Sequence, residues 1–397
     1  MKGMLINMIN ILYISNTSPL EKTGTSTNST MHNKMISAIP DHKVYSIHIT
    51  SSEIEENDTT IKIKKGNKIE KIKSVLNGYP PIFNMDAKKK AFKIIREKHI
   101  SIVYVESSVF GKFIEDIKKE FPMIKVIAFF HDIEVRKMKE DNECDLSFGR
   151  KMALPIYFSN ERKTVKFADA VIVLNERDKK IFIEEYGKVP DAIVPICVPI
   201  PTVSCKDKHY AGKRLKLLFV GVKYGPNLNG IRWFIKEVIP KITCPYEFNI
   251  VGRKMEEFRE EFEGYYSNIN VVGTVDDLSD YYNDADIIVG PISDGGGMKV
   301  KTAEALSYGK TFIGRTESLE GYWDGMSNVI KNQKIFRTDD ASEFANLIDS
   351  FYQMEYDKND INIKNWAKKN YSFESNYEIF LALFKKLENS TNKEKVS

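Results

Sequence analysis

The residue types best suited to chemistry are concentrated between Asp284 and Gly314, in DADIIVGPISDGGGMKVKTAEALSYGKTFIG. Ile287, Ile288 and Val289 form a short β-branched run, expected as a strand buried on both faces of a parallel sheet. Pro291 ends that run, and Gly295, Gly296 and Gly297 follow as three positions without side chains. Val300, Ala303 and Leu306 then recur at helical spacing up to Tyr308-Gly309, and Phe312-Ile313 opens another buried strand. A glycine turn between a strand and a helix N-terminus exposes backbone N–H groups and the positive end of a helix dipole, which suits a phosphate or diphosphate. Lys299 and Lys301, on either side of Val300 and just after Met298, add positive charge. Glu304, one turn into the helix, is an acceptor-only carboxylate able to take hydroxyl hydrogen bonds. A plain tight turn would also use three glycines. No Gly-Lys-Ser/Thr closes the loop as in a Walker motif, and the dinucleotide fingerprint lacks its third glycine.

The elements that must position this loop follow from the alternation of patterns along the chain. In the first half, strand candidates are Ile9–Ser15, Lys43–Ile49, Ile102–Glu106, Lys125–Phe130 and Ala170–Leu174. Amphipathic stretches lie between them at Thr30–Ile39, Ala87–Lys98, Phe110–Glu120 and Arg150–Phe167. Such alternation predicts a doubly wound parallel sheet. Pro190–Cys205 is proline-rich and reads as a last strand running into an interdomain linker. A second alternation begins at Leu215, with strands at Leu215–Val222, Glu247–Gly252 and Asn268–Gly273 and helices at Asn229–Val238 and Met255–Glu263. Trp366–Leu387 is a final helical region. Two α/β domains joined by a linker place the ligand in the cleft between them.

His131-Asp132 follows the apolar run KVIAFF, so His131 stands at the carboxyl end of a strand, on the crevice side of an α/β domain. Capping the next helix is the simpler role for a histidine there. Asn175, after ADAVIVL, is an N-cap with acidic residues in the first turn behind it.

The string GGGMKVKTAEALSYGK with ESLEGY after it, at 317–322, resembles the donor-site segment of retaining nucleotide-sugar glycosyltransferases of family 4. FFHDIEVRKM and ADAVIVLNERD resemble further segments of that family. The resemblance is strong over about Leu215–Tyr322, moderate over Lys125–Lys180 and thin before that. It implies a GT-B fold, two Rossmann-like doubly wound parallel-sheet domains facing a central cleft. The expected boundaries are 1–203, completed by a returning helix at 371–388, a linker at 204–213, a donor domain at 214–370 and a frayed tail at 389–397. It places His131 by the donor sugar and phosphate, and Lys223, in the turn GVKYGPN, by the diphosphate with Gly295, Gly296, Gly297, Met298, Lys299 and Lys301. The turn at Gly273 and Val275 would meet the nucleobase through its backbone, and Glu304 would accept the ribose hydroxyls. Gly24 and Thr25 match loosely a glycine loop on the acceptor side. The family signature has another Glu eight positions before Glu304, where this chain has Gly296; Asp294 is the nearest replacement. The implied function is transfer of a sugar from a nucleoside-diphosphate donor to a carbohydrate or lipid-linked acceptor, with retention, in bacterial surface polysaccharide assembly. Neither a metal nor another cofactor is implied. A non-catalytic GT-B partner subunit and a nucleotide-sugar 2-epimerase are the alternatives.

The chain has 397 residues, 42% of them apolar, enough for two ordinary domains, and a formal charge of +4 that does not indicate nucleic-acid binding. Cys144, Cys197, Cys205 and Cys244 show no metal-site spacing and read as reduced thiols of a cytoplasmic protein. The first residues read as a buried strand at Ile9–Ile14 rather than a signal peptide, and no apolar stretch reaches the length of a membrane span. Charge is unevenly placed. Between Ile61 and Lys98 twelve Lys and Arg face three acids, a local +9, which leaves −5 for the rest of the chain. Val75, Leu76, Tyr79, Ile82, Phe83 and Met85 lie among these cations, a composition that suits either an ordinary solvated face with its apolar residues turned into the core or a peripheral contact with an anionic inner leaflet.

Overall fold

The computed structural model describes residues 8–21, 24–141, 148–202 and 207–394. The chain divides into two compact units: the first runs through Pro195 and resumes at Asn376, and the second is Ile196–Ser375.

In the first unit, seven parallel strands form one sheet in the order β3-β2-β1-β4-β5-β6-β7. They are β1 (Ile9–Ser15), β2 (His42–Ile49), β3 (Thr60–Ile63), β4 (Ile100–Glu106), β5 (Lys125–Phe130), β6 (Ala170–Val173) and β7 (Ala192–Ile193). The intervening helices are α1 (Gly24–Ser37), α2 (Lys68–Leu76), α3 (Met85–Glu97), α4 (Gly111–Glu120), α5 (Glu134–Asp141), α6 (Phe148–Phe167) and α7 (Glu176–Tyr186). The central strands are near-continuous apolar runs because helices cover both faces of the sheet; Val103, Val105, Val126 and Ala128 are fully buried. Asp169 pins one edge of this layer. Its carboxylate accepts from the Val126 amide at 2.8 Å and from Lys118 Nζ at 2.9 Å. Asn175 caps α7 by accepting from Asp178 N at 2.9 Å.

The second unit holds six parallel strands in the order β11-β10-β9-β12-β13-β14. Its elements, in chain order, are β8 (Lys208–His209), β9 (Leu215–Val220), α8 (Gly225–Trp233), β10 (Tyr246–Val251), α9 (Arg259–Glu263), β11 (Ile269–Gly273), α10 (Ser279–Asp284), β12 (Ile287–Gly290), α11 (Val300–Ser307), β13 (Thr311–Gly314), β14 (Ile335–Arg337), α12 (Ala341–Tyr352), β15 (Tyr356–Asp357) and α13 (Ile361–Tyr371). Lys208 and His209 fall within the stretch read as a linker, yet they pair antiparallel with β15. A last helix, α14 (Phe373–Glu394), continues past the expected tail boundary at Asn389. From Asn376 onward it belongs to the first unit, where Phe380 and Phe384 are fully buried.

Both sheets reverse strand order once, between β1 and β4 in the first and between β9 and β12 in the second. Open α/β sheets bind ligands outside the carboxyl ends of the strands at such switch points. In the second unit that edge is almost bare. Gly221, Gly252, Gly273, Gly290 and Gly314 end or directly follow five adjacent strands. Gly252 is forced by packing: a Cβ there, at φ +146°, would lie 2.0 Å from the Gly221 carbonyl oxygen.

Among the described residues no helix is long and apolar enough to cross a membrane, and no group of three or more His, Cys, Asp or Glu could hold a metal ion. Among the described residues Cys197 and Cys244 form no disulfide, while Cys144 and Cys205 lie outside the described residues.

Candidate functional site

In the second unit the glycine loop reaches the switch point with Gly295 at φ +103° and Gly297 at φ +66°, conformations that a side chain would strain. Lys299 turns back into the loop. Its Nζ donates to the carbonyls of Gly295 at 3.0 Å and Gly297 at 2.9 Å, and to Glu317 Oε1 at 2.6 Å. The hydroxyl of Tyr322 holds the Lys299 carbonyl at 2.8 Å. In a trans peptide the N–H points opposite to the C=O. Gathering these carbonyls on one ammonium therefore turns the amides of Gly296 and Met298 away from it. None of the N–H groups from Gly295 to Lys301 is hydrogen-bonded among the described residues. They form an unpartnered donor nest at the N-terminus of α11.

Lys301 extends from the first turn of α11 to the Asn227 carboxamide oxygen and lies 4.6 Å from the Phe219 ring centroid. Asn227 in turn donates to the Val222 carbonyl at 2.7 Å, which ties α11 to the end of β9. Burial, aided by the charge of Lys299, pushes the Lys301 ammonium down to about 7. Glu304 lies one turn further on. Burial pushes its carboxyl up to about 7, against the lowering effect of a hydrogen bond from the Tyr282 hydroxyl at 3.2 Å. Tyr282 stacks on Tyr308 with 4.7 Å between centroids, so the wall beside Glu304 is aromatic. Met298 is buried and anchors the loop, whereas Asp294 stands exposed at its mouth with no partner among the described residues.

The other expected donor residues are differently engaged. Lys223 ion-pairs with Glu257 and lies 5.3 Å from the Phe258 ring, an exposed contact. Gly273 has φ +83° and accepts from Gly252 N at 2.7 Å, while the next amide, of Thr274, is held by Glu256 at 3.0 Å. Val275 follows, half-buried.

In the first unit, His131 directly follows β5 and lines a cavity of about 370 Å³ at the switch point, together with Asn16, Thr25, Glu106, Ser107 and Asp132. Gly24 and Thr25 are not a free loop; they form the first turn of α1, which begins six residues before the predicted Thr30. Glu106, the last residue of β4, joins the site only through the structure. Its Oε1 lies 2.8 Å from His131 Nε2 and 2.8 Å from His32 Nδ1, and its Oε2 accepts from the Tyr13 hydroxyl at 2.9 Å. The Glu106 and His32 side chains are fully buried, and that of His131 is 16% exposed, so of the two imidazoles His131 is the one that lines the cavity. Burial pushes the Glu106 carboxyl up, but the imidazoles of His32 and His131 outweigh it and hold the group well below the carboxylate range. Phe129 packs 4.4 Å from His32 and 4.8 Å from His131, between ring centroids, fixing both rings. The turn after His131 is held by the buried carboxylate of Glu161, which accepts the first amides of α5, Glu134 N at 2.9 Å and Val135 N at 2.7 Å.

The structure thus collects Gly295–Lys301 with Glu304 in one unit and Thr25 with His131 in the other. Asn227, Tyr282 and Glu317 likewise enter only with the fold. Glu106 has a signal in the sequence, a carboxylate ending the apolar run ISIVYV, the same logic that singles out His131. His32 has none, since only the fold brings it beside Glu106.

The second unit has a family match and the whole fold has counterparts among solved structures. The family model described as Glycosyl transferases group 1 matches residues 214–354, the span holding the glycine loop and α11. Sucrose-phosphate synthase from Thermosynechococcus elongatus superposes with a TM-score of 0.72 at 13% identity, over 96% of this chain and 100% of that one. The lipopolysaccharide outer core galactosyltransferase WaaB gives 0.65 at 13% identity, over 95% and 100%. The Anabaena protein HepE in complex with UDP gives 0.65 at 11%, over 95% and 100%. No curated protein matches the sequence. At such identities the solved structures establish the fold, which is GT-B, and the domain match supplies the activity. The protein is a glycosyltransferase.

Proposed function

We propose that the protein transfers a sugar from a nucleoside-diphosphate donor to a carbohydrate or lipid-linked acceptor, as a retaining enzyme of the family 4 type working in bacterial surface polysaccharide assembly. The observation that carries the donor assignment is the set of unpartnered amides from Gly295 to Lys301, shaped by the grip of Lys299 on the loop carbonyls. Negative charge grows on the diphosphate as the sugar leaves. Fixed amides, a helix N-terminus and Lys301 answer it without reorganisation. The reading assigns no cofactor beyond the donor itself. Glu304 takes the ribose hydroxyls, Lys223 and Asp294 flank the donor, and the backbone at Gly273 and Val275 receives the base. His131 works beside the sugar, with Gly24 and Thr25 on the acceptor side. The solved HepE structure, which holds UDP on the same fold, supports a nucleotide as the donor's handle.

The test is a panel of nucleoside diphosphates, matched nucleosides and nucleotide sugars followed by calorimetry, then product mass spectrometry with the sugars that bind. Diphosphates should bind at least tenfold more tightly than their nucleosides. Equal affinity for the two overturns the assignment of the glycine loop.

A further inference from the structure

Helix α2 is inside out. Ile69, Ile72 and Leu76 are 66%, 60% and 80% exposed, and Val75 is 39% exposed. At about 100° per residue these four fall within an arc of roughly 120°. Ser74 lies on the opposite side, buried, with its hydroxyl donating to the Phe83 carbonyl at 2.7 Å. That bond and the capping box of Asn67 with Glu70 fix the helix at its start and on its inner face. The apolar stripe must therefore point outward. A surface stripe of this kind in a folded protein marks an interaction site.

Charge identifies what covers it. Lys71 and Lys73 border the stripe on either side, and Lys68 lies within it. These three, with Lys64 and Lys65 just before the helix, are exposed and lack a carboxylate partner among the described residues. The only acid in α2, Glu70, is turned back to the amide of Asn67 at 2.7 Å. Unpaired lysines around outward aliphatic side chains match an anionic lipid bilayer: headgroups meet the ammonium groups and the aliphatics enter the acyl boundary. Tyr79 and Phe83, counted toward such a contact from sequence, are instead buried in the core.

We propose that α2 docks the first unit on an anionic membrane surface through Ile69, Ile72, Val75 and Leu76, with Lys68, Lys71 and Lys73 against the headgroups. The placement also bears on the acceptor, a point that rests on the glycosyltransferase reading. Six residues after Leu76, Ile82 lines the cavity that holds His131. A docked α2 sets that cavity beside the bilayer, where a lipid-linked acceptor is presented, in preference to a free sugar.

The test is co-sedimentation of the full chain with phosphatidylcholine vesicles, with and without phosphatidylglycerol, across a salt series. Binding should require the anionic lipid and weaken with salt. Replacing Lys68, Lys71 and Lys73 by Gln should lower partitioning about fivefold per lysine. Ile72→Ser with Leu76→Ser should lower it at unchanged charge. A wild-type chain that stays off anionic vesicles at low salt overturns the proposal, as does full binding by either variant. Self-association of the free chain, abolished by the two Ser substitutions, would assign the stripe to a second copy and overturn it as well. Nucleoside-diphosphate binding, measured on the same samples, reports on the donor assignment separately. Its loss from a chain that still binds vesicles would strike that assignment and leave the docking surface standing.

Discussion

Glu106 holds a carboxylate oxygen 2.8 Å from Nε2 of His131, and the same oxygen lies 2.8 Å from Nδ1 of His32. One buried carboxylate thus hydrogen-bonds the His32 imidazole and lies at ion-pair distance from that of His131, which alone of the two reaches the cavity. With Tyr13 on the other oxygen and Phe129 against both rings, His131 has little freedom to turn. Glu106 positions the histidine that the proposed chemistry uses.

Glu106→Gln should lower turnover nearly as much as His131→Ala, while nucleotide affinity stays close to wild type in both. The double variant should be no worse than either single one, because residues acting as a unit are not additive. Additive losses in kcat would separate the two residues and remove the positioning role.

The same substitution has a pH signature. The folded carboxyl of Glu106 is held below its unfolded value, so the stabilisation is present above about pH 4.5 and disappears as pH falls toward the folded value. Removing it should cost roughly 1–3 kcal/mol near neutrality, the penalty for a buried group left without its partner. The gap to wild type should close progressively below about pH 4.5 in urea unfolding curves. A gap independent of pH would mean the loss is one of packing.

Glu304 carries the opposite sign. Its carboxyl is raised to about 7 in the folded chain, so between the ordinary value of 4.5 and about 7 the folded state binds the extra proton and stability falls as pH rises. Lys301, lowered to about 7, makes stability rise with pH from there toward 10.5. Glu304→Gln should flatten the first of these slopes in the unliganded protein. It should also weaken donor binding roughly tenfold to a hundredfold, the worth of about 1.5–3 kcal/mol for hydrogen bonds to a charged group. Unchanged donor affinity in the Gln variant would leave Glu304 as a partner of Tyr282 and nothing more.

Lys299→Ala and Lys301→Ala should each weaken diphosphate more than nucleoside, but by different routes. Lys299 is tied to Glu317 at 2.6 Å and to the loop carbonyls, so its effect on phosphate runs through the loop's shape. Glu317→Gln should then reproduce part of the Lys299→Ala defect. If Lys299 met the phosphate directly, freeing it from Glu317 would tighten binding, and calorimetry on the three variants distinguishes these outcomes.

How much of the molecule is legible in the sequence follows from which forces leave local traces. Apolar runs buried on both faces announce themselves, and Ile9–Ser15 and Lys125–Phe130 form strands at the predicted bounds. Helix α1 starts six residues ahead of its amphipathic pattern because Gly24–Ser29 is polar and small, yet Ser26, Asn28 and Ser29 are buried there. Helix α2 reads in sequence as an apolar stretch among lysines because its periodicity faces solvent rather than core. The glycine loop is legible as a donor nest because its pieces are contiguous. The Glu106 cluster is not, since His32 is 74 residues from Glu106 and only the pairing of β1 with β4 sets their elements side by side. Lys223 illustrates the converse: its position in the turn is readable, but its pairing with Glu257 is not.

The bare strand ends of the second unit give a last prediction, on stability. Gly252 combines φ +146° with a Gly221 carbonyl oxygen 2.0 Å from where a Cβ would sit, and the obstruction is backbone, which cannot swing aside. Gly252→Ala should therefore cost at least about 1–3 kcal/mol from the conformation alone, with a further loss as β9 and β10 part at their carboxyl ends. Gly225, at the start of α8, is the control: a Cβ there would meet nothing within 4 Å, and its φ is ordinary. Gly225→Ala should be neutral or stabilising by up to about 1 kcal/mol. Because the Gly221 carbonyl belongs to the turn that leads to Asn227 and so to Lys301, the Gly252 variant should also lose diphosphate affinity at temperatures well below its melting point. Thermal unfolding and calorimetry on the two variants check both halves. Equal stability of Gly252→Ala and wild type would mean the strand ends can separate freely, and the bare edge would then owe its glycines to something other than close packing.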